Sequence, residues 1–111
     1  MWLLDVNMPR QLKGLLAELG VPADTANARG WGTLANGDLL EAAASYGFSS
    51  LLTRDRLLGE SVAVILKRYP TFSIVYVTIP QARASHFLAS FRAAWEKEPI
   101  RPTPGEILSW P

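Results

Sequence analysis

The sequence predicts a three-layer α/β/α fold, with a mainly parallel sheet of about four strands between helices. Three observations predict it. Short, wholly apolar runs alternate with stretches of helical periodicity, the pattern of a parallel sheet covered on both faces. Each run ends at a charged residue or a turn former. The length of 111 residues suits one domain with a single modest core.

The elements follow in order. Trp2-Leu3-Leu4 reads as a strand buried on both faces. Pro9 suits the first turn of a helix, where its missing N–H costs nothing. Leu12, Leu15, Leu16 and Leu19 recur at helical spacing, and Gly20 is a natural stop. Residues 21–26 can form a short second strand. Residues 29–37 are rich in turn formers and read as a loop. A helix over 38–46 ends at Gly47, and the run within 48–53 is the next strand, leading into Arg54-Asp55. Residues 61–69 are ambiguous by periodicity, but closure by Pro70 and the stronger strand at 73–79 favour helix. A last helix over 81–97 puts Ala84, Phe87, Leu88, Phe91 and Trp95 on one face. Residues 1–98 form the domain by this reading. Residues 99–111 form a proline-rich tail, too rich in proline for a central strand, that wraps an edge.

Composition excludes several chemistries. There is no cysteine, which removes disulfides, thiolate nucleophiles and cysteine zinc sites. One histidine, His86, leaves no histidine metal cluster, and its place in a helix beside Phe87 reads as packing or surface. The formal net charge is +1, which argues against binding nucleic acid through field alone, although the second half is mildly basic. No apolar run reaches the roughly 18 residues of a membrane span. The opening Met1-Trp2-Leu3-Leu4-Asp5 lacks the basic start and long apolar stretch of a secretory leader, so a cytoplasmic location is expected.

Parallel strands joined by crossovers bring every strand-to-helix junction to one edge, where α/β sheets bind ligands. Asp5 lands there after the first strand and Asp55 after the third. Asn7 and Arg10 follow Asp5 closely, and Thr53 and Arg54 precede Asp55. Asp38 opens the helix before the third strand, with Glu41 one turn on. Grouped carboxylates repel unless a divalent cation or shared proton compensates them. Oxygen ligands without histidine or cysteine suit Mg²⁺ or Mn²⁺. Plainer roles compete. Asp38-Leu39-Leu40-Glu41 has the spacing of a capping box, and Asp5 and Asp55 could each cap the helix that follows. Trp31 reads as a loop anchor or as a base-stacking ring, and Trp95 as core. No glycine-rich phosphate loop is present, since Gly30 and Gly32 carry no Lys-Ser/Thr pair.

Leu3-Leu4-Asp5-Val6-Asn7-Met8-Pro9, Gly37-Asp38-Leu39-Leu40-Glu41-Ala42-Ala43 and Leu51-Leu52-Thr53-Arg54-Asp55-Arg56 together resemble the PIN-like nuclease superfamily. The closer resemblance is to its small uncharacterised branch linked to toxin–antitoxin pairs. It spans about half the chain. The resemblance implies an Mg²⁺-dependent endoribonuclease with Asp5, Asp38 and Asp55 as catalytic and metal-holding residues. Asn7 and Thr53 would support them, and the expected partners are RNA and an antitoxin protein. The sequence departs from the branch at Leu57 and Leu58, where a second acidic residue and an aromatic are frequent. It departs again at Gln81, where a fourth carboxylate would follow a strand. Arg10 or Arg54 would steady a phosphate.

Two other functions compete with the nuclease. A catalytically silent PIN-like module that binds RNA or protein is favoured by the missing carboxylates. A receiver-like or phosphoryl-transfer domain also ends its first strand in Asp, but the expected late lysine is absent. Trp110 and the proline-rich tail offer an apolar surface for a homodimer.

Overall fold

The computed structural model describes residues 1–56 and 60–111. In chain order the elements are β1 (Trp2–Leu4), α1 (Leu12–Glu18), β2 (Ala23–Thr25), α2 (Asn36–Tyr46), β3 (Ser50–Thr53), α3 (Glu60–Arg68), β4 (Ser73–Val77), α4 (Ala84–Lys97) and β5 (Ile107–Trp110). The strands form one sheet in the order β2-β1-β3-β4-β5, and every pairing is parallel. Parallel neighbours need crossovers, and the helices supply them.

Alternation along each strand divides the core in two. Trp2, Leu4, Leu52, Val75, Val77 and Trp110 face α1 and α4, meeting Leu12, Leu15, Leu16, Phe87 and Phe91. Leu3, Leu51 and Ile74 face the opposite way, onto Leu39, Leu40 and Ala43 of α2 and Val62 and Ile65 of α3. The leucines of α1 and the pair Phe87 and Phe91 of α4 recur at three and four residues, which puts each set on one helical face. Burying each such side chain contributes roughly 1.5–3 kcal/mol. Gly47 closes α2 at φ 112°, a left-handed conformation that an L side chain resists.

The division of helices between faces sets the hand of each crossover. β1–α1–β2 steps one way across the sheet over the first face. β2–α2–β3 and β3–α3–β4 step the other way over the second, so all three share a hand. β4–α4–β5 steps that second way but over the first face, and it therefore has the opposite hand. Such a crossover is rare in parallel sheets. Its packing explains it. Phe91 lies 4.8 Å from Trp110 and Trp95 lies 6.2 Å from Trp2, ring centre to ring centre, holding α4 beside α1. The proline-rich residues 98–106, with a turn at Pro104-Gly105, then span back to the start of β5, with the Trp110 indole N–H donating to the Glu98 carbonyl at 2.8 Å.

Three expectations are corrected. The sheet has five strands, not about four, because the tail adds β5 at an edge; its prolines lie outside the strand, where no ladder N–H is lost. α2 begins at Asn36 with Ala35 as its N-cap residue, so Asp38 sits within the first turn and the capping box does not form. Trp110 is 3% exposed, so it belongs to the core and offers no surface to a second copy. Among the described residues, no helix is long and apolar enough to cross a membrane.

Candidate functional site at the carboxyl edge

β1 is the strand from which the chain first steps to β2 and later, through α2, reaches β3 on its other side. That reversal opens a crevice at the carboxyl ends of β1 and β3, the usual ligand position in an open α/β sheet. Asp5 sits in its floor, 5% exposed. Asp5 Oδ1 accepts the Val6 N–H at 2.7 Å, and Oδ2 accepts the Thr53 hydroxyl at 2.7 Å and the Asn7 amide at 3.4 Å. These donors are all neutral. Burying a carboxylate is costly unless hydrogen bonds replace its water, and here they do.

Thr53 is the hub. It is fully buried as the last residue of β3, and its hydroxyl donates to Asp5 while accepting the Asp55 N–H at 3.1 Å and the Asn7 amide at 3.2 Å. Asn7 Oδ1 in turn accepts the Arg54 N–H at 3.0 Å. The loops after β1 and β3 are thereby tied across 46 to 48 residues of sequence. Asp55 is exposed beside this network, and Arg54 is half-buried with its Nε donating to the Ile79 carbonyl at 3.3 Å.

Two adjoining pockets of about 250 Å³ each share the Val6 and Met8 walls. One reaches Asp5 and is lined also by Arg10, Thr25 and Asn27. The other is lined by Asn7, Met8, Pro9, Arg54, Gln81 and Phe87.

Asp5, Asn7 and Thr53 therefore come together through their side chains, Arg54 and Asp55 join them through their backbone N–H groups, and Arg10 lies at the rim. Asp38 and Glu41 are placed differently. Asp38 is exposed on the first turn of α2. Glu41 accepts the Tyr69 hydroxyl at 2.9 Å and an Arg68 N–H at 3.1 Å, which ties α2 to the end of α3. Among the described residues, no three His, Asp or Glu side chains form a group able to hold a metal ion. Leu57 and Leu58 lie outside the described residues. Asp5 does not cap α1, whose N-cap residue is Gln11. Trp31 packs edge-on to Tyr46 and Phe48 at 5.8 and 6.0 Å, as a loop anchor does, and His86 is exposed.

Sequence reasoning noticed Gln81 only as a missing carboxylate, quoted Met8 only within the Asp5 motif and read Phe87 as a helix's apolar face, which is where the core holds it. The rule that selected Asp5 and Asp55, position just beyond a strand's carboxyl end, also selects Gln81 after β4. Comparison with protein-family models, with curated proteins and with solved structures finds no match. The fold and its site define an all-parallel α/β domain with a buried carboxylate at its switch point.

Proposed function

We propose that the protein is a metal-dependent endoribonuclease of PIN-like type, working at the carboxyl edge around Asp5. The observation that carries this reading is the buried Asp5 carboxylate, held by neutral donors at the sheet's ligand-binding position. Its charge is left for a cation from solution. Mg²⁺ typically takes one or two carboxylates and fills its shell with water and phosphate oxygens, so Asp5, with Asp55 on the adjoining loop, would hold it without Asp38. Mn²⁺ suits the same oxygens. When bound, such an ion supplies an activated water and stabilises charge on a phosphate oxygen. Thr53 fixes the Asp5 rotamer and, through the Asp55 N–H, the start of the following loop. Arg10, at the rim of the Asp5 pocket, steadies the phosphate by charge-assisted hydrogen bonds. By its resemblance to toxin–antitoxin nucleases, its expected protein partner is an antitoxin, testable by co-purification with a neighbouring gene product.

The test is RNA cleavage by pure protein in Mg²⁺ or Mn²⁺, comparing wild type with Asp5→Asn. Cleavage is expected for wild type and lost in the variant; cleavage that survives the substitution sinks the assignment. The lack of a three-residue metal group among the described residues favours a second reading, a catalytically silent module that binds RNA. RNA binding without cleavage at any Mn²⁺ concentration would select it.

A further inference from the structure

β5 closes one edge of the sheet and pairs only with β4. The Ile74 N–H donates to the Glu106 carbonyl at 3.1 Å and the Thr78 N–H to the Trp110 carbonyl at 2.7 Å. Backbone groups alternate sides along a strand, so Glu106, Leu108 and Trp110 turn theirs toward β4. Ile107 and Ser109 therefore each turn one N–H and one C=O outward, and both residues are exposed. Among the described residues, no hydrogen bond uses these outward groups.

Sheet edges are ordinarily guarded by charge, proline or a covering segment. The opposite edge is guarded, since β2 carries Asp24 with Lys13 and Arg29 around it. β5 reads Ile-Leu-Ser-Trp, without charge or proline, and Ile107 is 48% exposed. Beside it lies a hollow of about 480 Å³ between α4 and Pro111, lined by Ser90, Ala93, Ala94, Lys97 and Glu98. Among the described residues Lys97 and Glu98 form no ion pair, and together they leave this patch without net charge. One cation beside one anion suits neither a polyanion nor a polycation. It suits a copy of itself, because a twofold axis lets each sign meet its opposite.

A twofold also makes the strand pairing antiparallel, and the backbone then allows one register. Directly opposed residues exchange both N–H···O bonds, and outward groups oppose outward groups only when the axis passes through a residue. An axis through Ile107 would oppose Ser109 to Gly105, whose N–H is already given to the Phe72 carbonyl. An axis through Ser109 would oppose Ile107 to Pro111, which has no N–H. An axis through Leu108 opposes Ile107 to Ser109 of the partner subunit, and every outward group of both copies is paired.

The geometry points to a homodimer in which β5 pairs antiparallel with β5 of a second copy, about a twofold at Leu108. The two five-stranded sheets become continuous, and the guarded β2 edges stop assembly at two copies. The Asp5 crevice, at β1 and β3, stays open, so the dimer stands apart from the nuclease reading.

Sedimentation equilibrium of the 111-residue chain should give twice the chain mass. Ser109→Pro removes an outward N–H that β4 does not use, two hydrogen bonds per dimer, and should weaken dimerisation on the order of tenfold. Ile107→Lys supplies the missing guard charge and should weaken it too, with an unchanged circular dichroism spectrum confirming the fold of each variant. Leu108 would face its own counterpart with Cα atoms about 4.5 Å apart, within disulfide reach. The chain has no cysteine, so Leu108→Cys adds a single thiol that should cross-link readily on oxidation. Ser109→Cys, displaced from the axis, should cross-link several-fold more slowly. A monomer at millimolar concentration, a higher oligomer, a dimer untouched by both edge variants, or equal cross-linking by the two cysteine variants would overturn the proposal.

Discussion

Asp5 and Asp24 begin from the same local geometry and end with opposite electrostatics. Each carboxylate accepts the N–H of the next residue, Val6 to Asp5 at 2.7 Å and Thr25 to Asp24 at 2.8 Å. Asp24 then meets cations, with Arg29 at 2.5 Å and Lys13 at 3.2 Å. Burial pushes its pKa up, but the Arg29 and Lys13 contacts and the Thr25 N–H together hold it below the ordinary value. Asp5 meets a hydroxyl and an amide instead. Both carboxylates are satisfied, but only Asp24 is neutralised. One is a clamp between α1, β2 and the following turn; the other has only neutral partners, at the sheet's open edge.

Removing each carboxylate in turn separates the two roles. Asp5→Ala leaves the buried Thr53 hydroxyl without its acceptor and also removes the part-buried Val6 N–H bond, and a buried donor left without an acceptor costs about 1–3 kcal/mol. A loss of roughly 3 kcal/mol is expected by urea denaturation. If the loss is no larger than for Asp24→Ala, Asp5 is not the organising group. Thr53→Val keeps the side-chain shape and removes the hub hydroxyl, with an expected cost of about 1–3 kcal/mol. In the nuclease reading it also slows cleavage by about 10–100-fold, the usual price of losing the group that orients a metal ligand. Loss of stability without loss of rate would restrict Thr53 to holding the loops.

Asp24→Asn should have the smallest effect, about 1 kcal/mol near neutral pH, because Asn keeps an oxygen for the Thr25 N–H and loses only the charge that partners the half-buried Arg29 and the largely exposed Lys13. Its effect is sharpest in acid. With the folded pKa below the ordinary 3.8, the Asp24 contribution is present above that value and is lost as pH falls through the lowered one. Wild type should therefore lose more stability than Asp24→Asn between pH 5 and 2, a window set by that ordinary value. Parallel acid curves would show that the clamp carries no linkage.

The same division runs through what could be read from the chain. β1, β3 and β4 were legible because a strand buried on both faces must be apolar throughout, and α1 and α4 because their apolar residues keep helical spacing. β5 was not, since prolines 99, 102 and 104 hide a four-residue run that becomes a strand only by pairing with β4. Asp38 and Glu41 carry the spacing of a capping box, yet α2 starts at Asn36 and Glu41 turns to Arg68 and Tyr69. Local spacing cannot weigh a partner on another helix.

Sequence alone determined the alternation of strand and helix, the absence of cysteine chemistry, and the placement of Asp5 and Asp55 at one edge. Those follow from period, composition and the parallel direction of the strands. Only the tertiary structure decided which donors Asp5 would meet, which face α4 would cover, and that Met8, Arg54, Gln81 and Phe87 would enclose one pocket. Each of those depends on contacts between residues far apart in the chain, whose free energy no local pattern records.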